Sequence, residues 1–311
     1  MSSDTEKGLP EQQIPEPEVK SHPDYDDQES DLILESADGK RFRVHSFIMK
    51  LASDVFKTMI DVAPVQVSSK EPIHVQEKDD VVKDLLDAIY PNKLSFLNGP
   101  PTFEHFKDIC YAAEKYEMIG ALQTMQFFFR RMIDSFPPLL SFAIASRYEW
   151  TEELRLTSIA TLKLDLYSPQ SVKELQFIPS GVLLKLMELH RERRNILVAS
   201  LDLDLDDSCG VRSIGWSSVT LDRSSCMRPA SHFTTPRWTV LKYRLSEEME
   251  RKPDGSSIRE EAFWNRSEFD RIWETECSGY CRSNGGTSRI MSKDKLKAQV
   301  IRVLDNLPKT V

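Results

Sequence analysis

Aspartates alternate with leucines in Asp202-Leu-Asp204-Leu-Asp206-Asp207, a spacing with a superficial likeness to a calcium loop. Such a loop needs Gly at its sixth position for the sharp turn and a bidentate Glu at its twelfth. Here Asp207 and Ser213 occupy those positions, so the stretch reads as an exposed strand or a linker. Cys209, Cys226, Cys277 and Cys281 could together offer four thiolates to zinc. Only Cys277 and Cys281 are close, as Cys-x-x-x-Cys, whereas tight Cys-x-x-Cys pairs are the strong zinc signature. The four are therefore read as free structural thiols, with a structural zinc as the alternative, and no other cofactor is expected. Cys110 falls on an apolar helix face and reads as core.

The histidines offer no better chemistry. His45 lies between a predicted strand and a predicted helix, which suits a structural role with a hydrogen bond to backbone. His190, beside Arg191, Arg193 and Arg194, reads as a solvated helix end. No phosphate-binding glycine loop, nucleophile elbow or His-Glu-x-x-His pair is present. A zinc- or thiol-dependent enzyme in the C-terminal third would rest on the four dispersed cysteines, with no general base beside them. No catalytic residue is assigned, and the chain is read as not an enzyme.

The elements that would position any site are clearer. Leu32 and Leu34 alternate with polar neighbours, as do Phe42 and Val44, and Asp38-Gly39 between them favours a tight hairpin. Phe47, Leu51, Val55 and Met59 then recur every four residues, which predicts one apolar helix face. Ile73-His-Val75 suits a third short strand. Val82, Leu85, Leu86 and Ile89 mark the next helix, Phe106, Cys110 and Ala113 another, and Leu122, Met125, Phe129 and Met132 the last of this region. Phe56 and Tyr116 are expected in one core.

Asp31 leads a strand, His45 ends a second strand, and Ser53 and Phe56 form Ser-x-x-Phe on a helix. Leu86, Ile89 and Tyr90 then give Leu-x-x-Ile-Tyr, and Ala113, Lys115, Tyr116 and Met118 give Ala-x-Lys-Tyr-x-Met. In this order the motifs resemble a BTB/POZ domain. The fungal-type members resemble the whole chain best, because they add a helical region and a further C-terminal segment. The resemblance implies an α+β fold: a small mixed sheet packed with helices, followed by a helical extension and a small, mostly helical C-terminal region.

Composition shifts divide the chain. Residues 1–29 carry many acidic groups and prolines but few large apolar ones, which predicts a disordered acidic tail. Residues 30–135 are the BTB/POZ-like domain, bounded by Pro137-Pro138, which cannot continue a helix. Residues 136–200 read as a helical extension with Ser180 capping its last helix. Residues 201–235 read as an irregular linker or insert. Residues 236–311 carry helical faces at Trp238, Leu241, Leu245 and Met249, at Phe269, Ile272 and Trp273, and at Leu296, Val300 and Leu304. These make either a three-helix unit or a layer packed back on the middle helices.

The net charge of −8 argues against nucleic-acid binding, which needs a basic face. No run approaches the ~20 apolar residues that cross a bilayer, and the N-terminus lacks an apolar leader. Five scattered cysteines suit a reducing compartment, so a cytoplasmic or nuclear location is expected. The resemblance implies a protein-interaction scaffold or adaptor that binds other proteins through residues 30–135. Two uses follow from it: a substrate adaptor for a cullin-type ubiquitin ligase, or a nuclear regulator recruiting corepressors. It places the adaptor surface on Phe103 to Lys115 and the segment after Asn92. Phe103, Lys107 and Tyr111 are the candidate contacts there, and helical phase favours Tyr111. Self-association also follows from the resemblance, although residues 1–29 lack the apolar period of the extra helix that many such dimers use.

Overall fold

The computed structural model describes residues 21–62, 71–91, 101–201, 203–205, 211–213, 236–274 and 293–311. They fall into two compact units, divided between Arg131 and Met132.

In the first unit, β1 (Leu32–Glu35) and β2 (Arg41–Val44) form an antiparallel hairpin that pairs Leu32 with Val44 and Glu35 with Arg41. The turn depends on Gly39, whose φ of +81° is costly for any residue with a Cβ. β3 (Ile73–His74) adds in parallel to the other edge of β1, giving a mixed sheet ordered β2-β1-β3. Alternation puts Leu34, Phe42 and Val44 in the core. α1 (Ser46–Ala52) and α2 (Asp54–Val62) follow the hairpin. α3 (Asp79–Ile89), α4 (Phe103–Lys115) and α5 (Ile119–Met132) follow β3. Thr102 starts α4 by accepting a hydrogen bond from the His105 N–H. The expected faces of α3, α4 and α5 are buried, and the Phe106 and Phe129 rings stack 5.6 Å apart. Cys110 is fully enclosed, and burial pushes its thiol up, so it is a core residue without reactivity.

One helix face differs from expectation. Phe47, Leu51, Val55 and Met59 do not lie on one helix, because the chain breaks at Ser53, which is extended (φ −149°, ψ 120°). The Ser53 hydroxyl accepts a hydrogen bond from the Phe56 N–H at 3.0 Å and donates to the Tyr116 carbonyl at 2.5 Å. It thus caps a second helix. Met49 and Phe56 point inward, and Phe47, Leu51 and Met59 point to solvent.

The tail boundary also moves. Residues 21–29, expected in the disordered tail, carry ordered structure, while residues 1–20 lie outside the described residues. Ser21 bridges to Arg41, the His22 N–H donates to the Arg41 carbonyl, and the His22 ring stacks on Phe42 at 5.0 Å. Tyr25 is buried, and its hydroxyl donates to the buried Asp87 carboxylate at 2.7 Å. Lys83 completes the group, 2.6 Å from the other Asp87 oxygen. One anchoring aromatic ring outweighs an acidic, apolar-poor composition, because it places a large area in the core.

In the second unit, Pro138 opens α6 (Pro138–Arg147), where its missing N–H costs nothing. α7 (Thr151–Thr161), α8 (Pro169–Leu175) and the long α9 (Ser180–Ser200) follow. Pro179, not Ser180, is the residue before α9, and no side chain caps that end. Leu139, Phe142, Leu166, Ile178 and Leu186 form one core cluster. β4 (Leu203–Leu205) pairs antiparallel with β5 (Val211–Ser213) inside the expected insert. The rest of that insert lies outside the described residues.

α10 (Pro236–Arg251), the short turns α11 (Ser256–Arg259), α12 (Glu261–Trp264) and α13 (Asp270–Trp273), and α14 (Lys293–Asp305) complete the unit. Of the two arrangements expected for residues 236–311, packing back on the middle helices is the one found. Leu197 and Leu201 of the α9 segment share a core with Trp238, Leu245, Trp264 and Leu304. Gly255, at φ +75°, lies against Leu304, where a Cβ would come within 2.8 Å of a methyl group. Arg193 is buried. Its Nε donates to the Pro253 carbonyl at 2.8 Å, and its Nη1 donates to the Pro308 carbonyl. His190 and Arg193 are therefore interior residues and not a solvated helix end. The unit packs against α9 on the side of His190 and Arg193, while Glu188, Arg191 and Glu192 stay exposed.

Two measurements check this packing. Phe56 is buried with its ring 4.9 Å from Tyr116, so Phe56→Ala should cost about 3–5 kcal/mol in chemical denaturation. An unchanged midpoint would contradict the burial of Phe56 against Tyr116. Burial, with the Arg193 charge second, holds His190 down to about 4 from 6.5. The unfolded chain therefore binds this proton at a higher pH than the native state does. The stability at stake is fully present above pH 6.5 and is lost as pH falls to 4, to roughly 3 kcal/mol in all. Thermal unfolding from pH 7 to 4 should show a steeper acid loss for the wild type than for His190→Gln; equal slopes would contradict the burial.

Candidate protein-interaction surface

α1 is only two turns long, yet it carries two large apolar side chains on its solvent side. Phe47 is 75 % exposed and Leu51 78 %, four residues apart and therefore on one face. Met59 and Val62 of α2 are also exposed. The Lys50–Asp61 ion pair, 2.5 Å long, ties the two helices together beside these side chains. Large apolar side chains exposed together on one helix face, as Phe47 and Leu51 are, suit an interaction site.

α1 is held by its first residue. The Asp31 carboxylate accepts the Ser46 N–H at 2.7 Å and the Ser46 hydroxyl at 2.5 Å, a capping function that His45 does not supply. Burial raises the Asp31 carboxyl, but the Ser46 hydrogen bonds outweigh it and hold the group below its ordinary value. His45 is structural, as expected, but its partners are side chains and not backbone carbonyls. Its N–H donates to the Tyr90 hydroxyl at 2.8 Å, its Nδ1 lies 3.3 Å from that hydroxyl, and its Nε2 lies 3.7 Å from Asp27.

A second surface lies between α3 and α5. A shallow groove of about 590 Å³ runs past Ile89, Tyr90, Gly120, Thr124 and Phe127. Phe127 is largely exposed there. On α4, Tyr111 is 42 % exposed, while Phe106, Cys110 and Ala113 face the core, as the helical phase predicts. Phe103 is half-buried, and Lys107 is half-buried and paired with Glu104 on its own helix. The segment after Asn92 lies outside the described residues.

Sequence reasoning missed Phe47, Leu51 and Val62 because an unbroken period of four assigns the first two to the core. The signal that finds them is the competing pair Met49 and Phe56, seven residues apart and on the opposite face. The zinc candidates Cys209, Cys226, Cys277 and Cys281 lie outside the described residues. Among the described residues, no group of three or more His, Cys, Asp or Glu side chains could hold a metal ion. Nor is any helix among them long and apolar enough to cross a membrane.

The mixed three-stranded sheet, its hairpin and the helices around it define a protein-interaction module. Residues 24–132 match the BTB/POZ domain family and form a BTB/POZ domain. The match begins at Asp24, beside the Tyr25 anchor. No curated protein matches the chain. A BTB/POZ domain is a binding module and not a catalytic one.

Asp31 holds the start of α1, so Asp31→Ala should destabilise the protein by about 1 kcal/mol. Urea denaturation checks this, and an unchanged midpoint would show that Ser46 finds other acceptors.

Proposed function

We propose that this chain is an adaptor that joins proteins through its BTB/POZ domain, with self-association on the α1–α2 face and a second partner on the α4–α5 side. The observation that carries the reading is the outward pair Phe47 and Leu51. A helix this short gains little from its own hydrogen bonds, and two exposed apolar anchors are the kind of residue that dominates interface energies. The general role, a protein-interaction scaffold or adaptor, follows from the domain itself.

Within that role, our reading is a substrate adaptor for a cullin-type ubiquitin ligase, fungal in type, acting in the cytoplasm or nucleus. Exposed Tyr111, with Phe103 and Lys107 beside it, supports the α4 side as the docking surface, because an aromatic tip can anchor a partner at low entropic cost. A nuclear regulator recruiting corepressors would use the same domain with a different partner.

The full chain should sediment as a dimer at tens of micromolar, and Leu51→Asp should return it to a monomer with its fold intact, since Leu51 is exposed. A wild-type monomer at that concentration would remove the self-association. A purified cullin N-terminal domain should bind the wild type and lose affinity for Tyr111→Ala. No binding to the wild type would move the assignment to the corepressor role.

A further inference from the structure

The second unit contains a cleft that the BTB/POZ role does not use. It measures about 410 Å³ and lies among the loop after α7, the middle of α9 and the end of α10. Leu184 and Tyr167 form one end, and both are mostly open to solvent, at 61 % and 66 %. Arg191 and Arg194 form the other end. Arg194 lies 3.4 Å from Glu250, whereas Arg191 has no acidic partner among the described residues. Glu188 lies between the two ends, so an anionic ligand group is favoured only near Arg191.

His190 lines the same cleft. The Thr161 hydroxyl donates to the Ser158 carbonyl at 2.6 Å, so its oxygen can only accept from the imidazole 3.3 Å away. The ring is therefore protonated on Nε2 and bare on Nδ1. That Nδ1 is not one of the buried polar atoms left unsatisfied, so water in the open cleft can serve it.

We infer that this cleft binds an extended peptide segment of a partner protein, with an apolar side chain against Leu184 and Tyr167 and an acidic side chain at Arg191. Helix rise puts Leu184 and Arg191 about 10 Å apart along α9, a span that about three extended residues cover. The sequence read is thus apolar-x-x-acidic. A compact small ligand fits poorly, since pockets for such ligands bury most of the ligand surface, and this apolar end stands open. The site is independent of the role of residues 24–132.

The probe is fluorescein-labelled Gly-Gly-Leu-Ser-Ser-Glu-Gly-Gly, measured by fluorescence polarisation against the full chain. Saturable binding is expected, weakened about tenfold when the peptide leucine becomes serine. Leu184→Ser in the protein should weaken it similarly, and Arg191→Glu by at least about fivefold. Both positions are exposed, and circular dichroism checks that the variants fold. No saturable binding up to 1 mM protein overturns the inference, and so does binding that Arg191→Glu leaves unchanged. Dodecanoate that binds more tightly than the peptide, and is lost in Leu184→Ser, would assign the cleft to small amphiphiles instead. Neither variant should alter the sedimentation of the chain, which keeps this outcome separate from the fate of the α1–α2 face.

Discussion

The Ser53 hydroxyl makes two hydrogen bonds that set the geometry of the BTB/POZ domain. One ends α1 and starts α2; the other fixes that junction to the end of α4 at Tyr116. At 3.6 residues per turn Met49 lies across α1 from Phe47 and Leu51, so filling the core with Met49 leaves those two outside. The break at Ser53 then lets Phe56 enter the same core from a second helix with its own cap. Ser53 is itself buried, so its hydroxyl must be satisfied on both sides, and the two hydrogen bonds satisfy it.

How much of this was legible in the sequence follows from which forces are local. The hairpin around Asp38-Gly39 and the inward faces of α3, α4 and α5 depend on period and turn chemistry, and these are written in neighbouring residues. The fixing of the α1–α2 junction depends on a carbonyl contributed by Tyr116, 63 residues away in sequence. The order at residues 21–25 likewise depends on Asp87, which the composition of an acidic segment does not reveal. Tyr111 was placed outward by phase alone, and the groove beside Phe127 was not found, because a groove belongs to two helices and to neither sequence.

The second unit shows the same limit for polar residues. His190 and Arg193 sit in a run of charged residues that reads as solvent-facing, yet both are enclosed. A buried guanidinium needs acceptors. The carbonyls of Pro253 and Pro308 provide them from two distant turns. Burial lowers the Arg193 pKa, but guanidinium remains charged at any ordinary pH. The pair of carbonyls thus solvates a permanent interior charge, and the Asp254 carboxylate adds a Coulombic attraction.

That arrangement has a consequence for synthesis on the ribosome. The BTB/POZ domain is complete once residue 132 has emerged, but the core of the second unit needs Leu304 and Leu307, and its buried arginine needs Pro308. At about 5–20 residues per second, roughly 9–35 s separate the two events. During that interval the outward face of α1 is already formed, while Leu197, Leu201 and Trp264 still lack the helix that covers them. The nascent chain thus displays its finished binding surface and an unfinished hydrophobic one together. Pairing of neighbouring nascent chains through the first would hold their unfinished second units at high local concentration.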